Sequence, residues 1–524
     1  MVPDASGLPG RSPLAPAAPS PLVGAVLPEP GDDTAAVVSQ RRGGILRIHW
    51  EAEPAHLHPL GDPDAAAGRA LSGLVYEPLI DCRGDRYVPA LAESWEVAPD
   101  GLKITLRLRP GVRWHDGQGF GVLDVQATVE PLLMKARAGF GVQLLREDLA
   151  DVATIEIAAD RVVRLKLKRP SDVVLRALCD VPILPDHLVR GWVPEKSPIA
   201  KHPIGTGPFR FLGWDRGKRV RLGRAPAGWR PGPAPALDEI HFEIDGDAAR
   251  ALTRVRRGEI DILPRVADVH YPADVDPVTL RASLTLYHLQ PERVSFLAIN
   301  HGNPLLADAR VRKALAFLWD RDRFAAELHK GLAQPAAGLP FDRARAAALL
   351  EEAGYRDTNG DGVRERDGRP IRLTLVHAAG ARTLAVETRA FVAELRKAGI
   401  LLDVAVIDPS LLPERLQAGS FDLAPVMWQG RREEDPAALF GDFGARTLGI
   451  PRSAAIESLL ADLRVAAGAE ARRPILVRMA AAVADETPII LLYRHHIPAL
   501  VSSRVRGLTA RGDQLNLGGV WLDP

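Results

Sequence analysis

Cysteine is scarce in this sequence: Cys82 and Cys179 are the only two in 524 residues, with no CxxC and no Cys/His ligand spacing. That excludes a thiolate zinc site and a disulfide-rich scaffold. Whether the two can pair depends on geometry, and buried free thiols are the expected state. A charge imbalance is also missing. Lys+Arg of 67 against Asp+Glu of 66 leaves +1, so no global field points to nucleic acid or to an acidic membrane surface, and no nucleic-acid partner is expected. No run of about 18 apolar residues occurs, so no segment reads as a membrane-spanning helix. The motifs of several enzyme classes are absent too: there is no GxSxG, no HExxH and no catalytic-cysteine setting. His495-His496 is the only adjacent histidine pair, and neighbours on a strand point to opposite faces, which disfavours a shared metal. No catalytic residue, metal ligand or cofactor is therefore expected.

What is present is length and pattern. At roughly 100 to 200 residues per domain, 524 residues allow about three domains with sizeable cores. Residues 1–43 are rich in Pro, Ala, Gly and Ser, and their longest apolar run, Leu22 to Leu27, is six residues long. A secretory signal needs an apolar core of about 7 to 15 residues after a basic start. This stretch is expected to be a disordered leader.

The densest patterning lies between Leu91 and Val125. Ile104, Leu106 and Leu108 alternate with Thr105, Arg107 and Arg109 after a Pro99-Asp100-Gly101 turn, which predicts a hairpin. Asp124 stands where an N-cap would open a helix over Val125 to Met134. Further on, 155–157 and 162–167 read as short strands. Gly205-Thr206-Gly207-Pro208 resembles the start of a phosphate loop, but the Lys-Ser/Thr is missing and Pro208 removes a donor, so a sharp turn is expected. The run 341–355 predicts a helix with Ala346, Leu349, Leu350 and Ala353 facing inward and Gly354 at its C-cap. Asp357 to Gly362 looks like half of a calcium loop, but Gly368 stands where the bidentate glutamate belongs, and a tight polar turn is expected. Helix 384–398 followed by strand 401–407 reads as part of a βαβ arrangement.

Taken together these residues resemble the family 5 extracytoplasmic solute-binding proteins, the peptide, dipeptide and nickel receptors of ABC importers. Pro89, Ala90, Leu91, Ala92, Ser94, Trp95, Arg109, Val112, Trp114, His115, Asp116, Gly117, Asp124 and Val125 fall in order on one family signature. Tyr76-Glu77-Pro78-Leu79, Gly205 to Pro208, Asp308 to Asp320, Phe341 to Tyr355 and Pro488 to Tyr493 fall on others. The resemblance runs from about Gly43 to about Leu508.

It implies an α/β, two-lobed periplasmic-binding-protein-like fold with a hinge and an extra β-rich subdomain in lobe 1. Residues 44–75, 195–290 and 497–524 would form lobe 1, 76–194 its inserted subdomain and 291–496 lobe 2, with crossings near 285–296 and 490–499. The implied function is an ABC-importer receptor, a monomer in the periplasm or otherwise outside the cytoplasm. It would capture a peptide or similar small solute between its lobes and deliver it to permease subunits. Trp428 is the leading candidate for a wall of the ligand site, a buried core tryptophan being the competing reading. Asn300, at a strand end, either meets ligand or caps a turn; Tyr76 is a further candidate. In peptide receptors of the family an acidic residue three after the tryptophan holds the ligand α-ammonium, whereas here Arg431 stands there. Glu433 or Glu434 could take over the amine, Arg431 could meet a ligand carboxylate, or Arg431 could pair with Glu434 or Asp435 on a solvated loop. A nickel-chelate or anionic solute receptor is the alternative, and a non-transport sensory protein of the same fold is a third reading.

Overall fold

The computed structural model describes residues 25, 27–28, 42–60, 66–83, 86–134, 145–189, 196–226, 228–230, 234–275, 280, 283–291, 293–380, 382–429, 436–441, 444–446 and 449–523. Two compact units emerge. The larger holds Gly24–Gln290 and Ile497–Pro524, and the smaller is built on Pro291–His496.

In the larger unit a seven-stranded sheet has the order Leu284–Leu289, Ile497–Ser502, Ile262–Leu263, Ile45–Trp50, Glu239–Ile244, Arg219–Arg224, Phe209–Asp215. The 45–50 strand is parallel to both 239–244 and 262–263, so it needs crossover connections on either side. A second, antiparallel sheet orders Ala92–Val97, Lys103–Leu108, Val162–Leu167 and Val152–Ala159. Its alternation is as the sequence predicts: Ile104, Leu106 and Leu108 are buried and Lys103 and Arg107 are exposed. Those leucines, with Val163 and Leu165, share one buried cluster with Val125, Val129 and Leu132 of helix Val122–Leu133 and with Leu46, Ile48 and Phe242 of the large sheet. The β-rich segment therefore shares the core of its unit.

The helix begins at Val122 and its N-cap is Gly121; Asp124 sits in the first turn and its carboxylate reaches back to accept the Gly121 N–H at 2.8 Å. Cys82 and Cys179 are not free thiols: they form a disulfide with Cα atoms 5.7 Å apart. Tertiary packing of strand Ile80–Arg83 beside the end of helix Asp172–Ala177 makes the pair, across 97 residues of chain. Nor is all of 1–43 irregular leader, because Ala25 bridges to Tyr287 along the edge of the large sheet, its N–H donating to Leu286 O at 3.1 Å, and Leu27 is buried in the core. The edge of strand 284–289 offers backbone groups, and Ala25 satisfies two of them, donating to Leu286 O and accepting from His288 N.

The smaller unit's six-stranded sheet orders Ala333–Pro335, Ile489–His495, Arg293–Ile299, Leu423–Gln429, Arg372–Ala378, Leu401–Ile407. Strands 372–378 and 401–407 are parallel and joined by helix Arg382–Lys397, the βαβ unit expected. Helix Arg343–Glu352 buries Ala346, Leu349 and Leu350, with Asp342 as N-cap and Gly354 at φ 88° after its end. The 357–362 segment is a polar turn in which Asp357 accepts the N–H groups of Gly360 and Gly362. Two buried arginines tie the unit together. Arg312 donates to the carbonyls of Leu306, Ala307, Glu486 and Thr487, and Arg321 donates to Leu491 O at 2.9 Å.

Candidate functional site

In α/β sheets ligands bind at the carboxyl ends of parallel strands, and the strand registers place those ends in each unit. In the larger unit Leu289 pairs with Ile497 and Leu263 with Leu500, so Trp50, Ile244 and Leu263 all end on the side where the chain leaves and re-enters. In the smaller unit Arg293 pairs with Gln429 and Val294 with Arg494, and strands 372–378 and 423–429 are parallel. Ala378, Ile407 and Gln429 therefore end on the side where its chain enters at 291 and leaves at 496.

The larger unit's end is rich in charge, but its buried carboxylates already have partners. Asp245 takes two 2.7 Å hydrogen bonds from Arg250, which hold its carboxyl below the usual range, and Glu243 is paired with Arg219 and Arg254. His49 Nε2 donates to Asp245 O at 2.7 Å, and burial lowers its pKa.

The smaller unit's end carries a polar cluster that sequence reasoning missed. His329 Nε2 lies 2.9 Å from Glu387 Oε1, His495 Nε2 lies 2.9 Å from Ser295 Oγ, and the two imidazole rings are 5.6 Å apart. Trp319 Nε1 donates to the Tyr493 hydroxyl at 3.0 Å. Burial pushes His495 down to about 3, so it is neutral, and raises Tyr493. These residues are spread over 200 positions of sequence, and no spacing announces them.

Trp428 lies on strand 423–429 opposite Val294, on the same face as the Phe296–Val426 pair, and is 3 % exposed, whereas Met427 beside it is 46 % exposed. It is a packed residue one position before the strand's end. Asn300 caps a turn: its Nδ2 donates to Gly419 O at 3.0 Å and Phe421 O at 2.8 Å, and its Oδ1 accepts from Gly302 N. Tyr76 is buried among the apolar residues of the larger unit's core. Arg431, Glu433 and Glu434, and with them Asp435, lie outside the described residues.

The signature residues have a structural task. Gly205 N donates to His115 Nδ1 at 3.3 Å, which leaves the proton on Nε2 to donate to Gly207 O at 2.9 Å; burial lowers the pKa of this imidazole. A Cβ on Gly205 would lie 1.7 Å from Val75 O, and one on Gly207 2.3 Å from Leu74 O, so glycine serves close approach here. Glu77, fully buried, accepts from Thr206 Oγ1 at 2.7 Å and Trp229 Nε1 at 2.8 Å and is paired with Arg230. Asp124 accepts from the N–H of Asp186 as well as Gly121, and burial raises its pKa.

Two α/β units, each turning the carboxyl ends of its parallel strands toward the chain crossings, define a two-lobed solute-binding protein. Residues 86–447 match the bacterial extracellular solute-binding proteins, family 5, and the chain belongs to that family. It is a substrate-binding protein of an ABC importer. The oligopeptide-binding protein AppA of Bacillus subtilis is 26% identical over 410 residues, 73% of this chain and 72% of AppA. AppA's structure in complex with a nonapeptide superposes with a TM-score of 0.69, covering 92% of this chain and all of AppA's. The fold is also similar to that of NikA from Brucella suis in complex with Fe(III)-EDTA, with a TM-score of 0.75, 24% identity and coverage of 92% and 100%.

Proposed function

We propose that the cargo is a peptide or similar small solute, recognised in the smaller unit by the segment that follows strand 423–429, and handed to the permease subunits of the importer by a monomeric receptor. The observation that carries this reading is the register: Trp428 and Gln429 end a strand whose carboxyl end lies among those of 372–378 and 401–407, and 430–435 follow directly. In this reading Trp428 buttresses the ligand wall, and Glu433 or Glu434 takes the ammonium of a peptide. Relatives whose names record peptide binding support that class of cargo. The disulfide between Cys82 and Cys179 supports residence in an oxidising compartment outside the cytoplasm.

A second reading is favoured by Arg431, which stands where peptide receptors of the family carry an acid. A guanidinium there suits a carboxylate-bearing ligand, whether a metal chelate or another anionic solute. A thermal-shift screen with free peptides, the same peptides N-acetylated, and nickel chelates separates the two. A ligand at a hundredfold excess over its Kd adds about 2.7 kcal/mol. Stabilisation by free but not acetylated peptides supports the peptide reading. Stabilisation by chelates or acetylated peptides alone moves the assignment to Arg431, and no shift with any of them overturns both.

A further inference from the structure

The antiparallel sheet of the larger unit has one buried face and one bare face. On the bare face the register brings together Ser94 and Glu96, Lys103, Thr105 and Arg107, Val162, Arg164 and Lys166, and Glu156. Glu156 is taken by Lys166 at 2.5 Å. Lys103, Arg107 and Arg164 are exposed and have no ion-pair partner among the described residues, and the carboxylate left near them is Glu96. The face is not flat. The register shifts between Ala92 and Ser94 on one outer strand and between Ile157 and Ala159 on the other, and such irregularities bend and twist the strand that carries them. Between the bent strands lies a depression of about 410 Å³, lined by the three cations, Glu96, Thr105 and small apolar residues such as Pro99 and Val162.

We propose that this trough docks an extended, acidic segment of a partner protein. Charge complementarity selects an anion, because three unpaired cations face one carboxylate. Shape selects the kind of anion. Lys103 and Arg107 are four residues apart on one strand, about 13 Å along it, and Arg164 faces Thr105 between them. That spacing suits carboxylates spread along an extended chain, and a recess of this sort is poorly matched to a planar lipid surface. None of these residues belongs to the smaller unit, where the proposed cargo site lies.

The test is fluorescence anisotropy of the full chain with a labelled, end-blocked decapeptide of alternating Asp and Glu, at low and at 300 mM salt. Saturable binding at low salt is expected, weakened by salt. Arg107→Gln and Arg164→Gln should each weaken it about threefold and Lys103→Glu/Arg107→Glu/Arg164→Glu more than tenfold, while Glu96→Ala strengthens it. The single substitutions keep the test decisive if the triple variant does not fold, and a thermal melt checks each protein. Absence of saturable binding overturns the proposal. So does binding that the substitutions leave unchanged, which would place the probe in the cargo site. Tighter binding to vesicles containing phosphatidylglycerol, with the same dependence on the three cations, would replace the acidic peptide with a lipid surface.

Discussion

The two units hold themselves together by different means. In the larger, loops remote in sequence are pinned by a disulfide and by single polar side chains in tight quarters: Glu77 gathers Thr206, Trp229 and Arg230, and His115 brackets Gly205 and Gly207. In the smaller, Arg312 and Arg321 donate to backbone carbonyls within a core centred on Trp319, whose ring lies 4.6 Å from Phe391. The densest motif of the chain is spent on scaffolding in the larger unit. The smaller unit carries a polar cluster of His329, Glu387, Tyr493 and His495 at its carboxyl ends.

The comparison breaks most sharply at Gly205. Gly205→Ala puts a methyl carbon 1.7 Å from a backbone oxygen that cannot move alone, and the expected cost is about 4 kcal/mol or more, read as loss of soluble protein or a collapse of the melting temperature. Retention of wild-type stability would mean that the GTGP turn is not pinned as described. Glu77→Ala leaves a buried void and strands Trp229 and Thr206, and should cost about 3 kcal/mol in chemical denaturation, with the larger unit affected first. Cys82→Ser/Cys179→Ser should lower stability by about 2–4 kcal/mol, and wild-type protein should show the same loss on reduction; equal stability with and without reductant would sink the disulfide's role.

Smaller effects come from pH, and they act on both units with the same sign. Burial holds His58 in the larger unit and His495 in the smaller at about 3, well below their ordinary 6.5. Between those values the unfolded chain binds the proton and the folded one does not, so stability is full above about pH 6.5 and falls as pH drops toward 3. Each such histidine contributes a slope of up to about 1.4 kcal/mol per pH unit. His58→Asn and His495→Asn should each remove one proton's share of that slope, and an unchanged slope would show that the imidazole titrates normally. Lower still, Arg343 holds Glu394 at about 2. That stability is present above about pH 4.5 and lost toward pH 2, so Glu394→Gln should flatten this last part of the curve.

How much could be read from residues alone differs between periodic and non-local features. The strands 103–108 and 162–167, the helix 343–352 and the 372–407 βαβ unit follow from local alternation, because burying one face of an element leaves a period in its own sequence. The hydrogen bonds of Asn300 to Gly419 and Phe421 leave no mark in its own sequence neighbourhood, because they depend on the approach of 419–421. That Tyr76 packs in the buried cluster of its unit is set by tertiary packing, since an aromatic's sequence neighbours do not record what surrounds it in space.

The sequence by itself determined the family, the order of the elements and the places where one strand face must turn inward, because these depend on spacing along the chain. Tertiary structure alone decided that Cys82 meets Cys179, that Asp124 caps from within its helix, that His329, Glu387, Tyr493 and His495 form one cluster, and that Lys103, Arg107 and Arg164 share a trough. The physical reason is common to all four. Their energies come from distances between groups far apart in sequence, and only the packing of whole elements sets those distances.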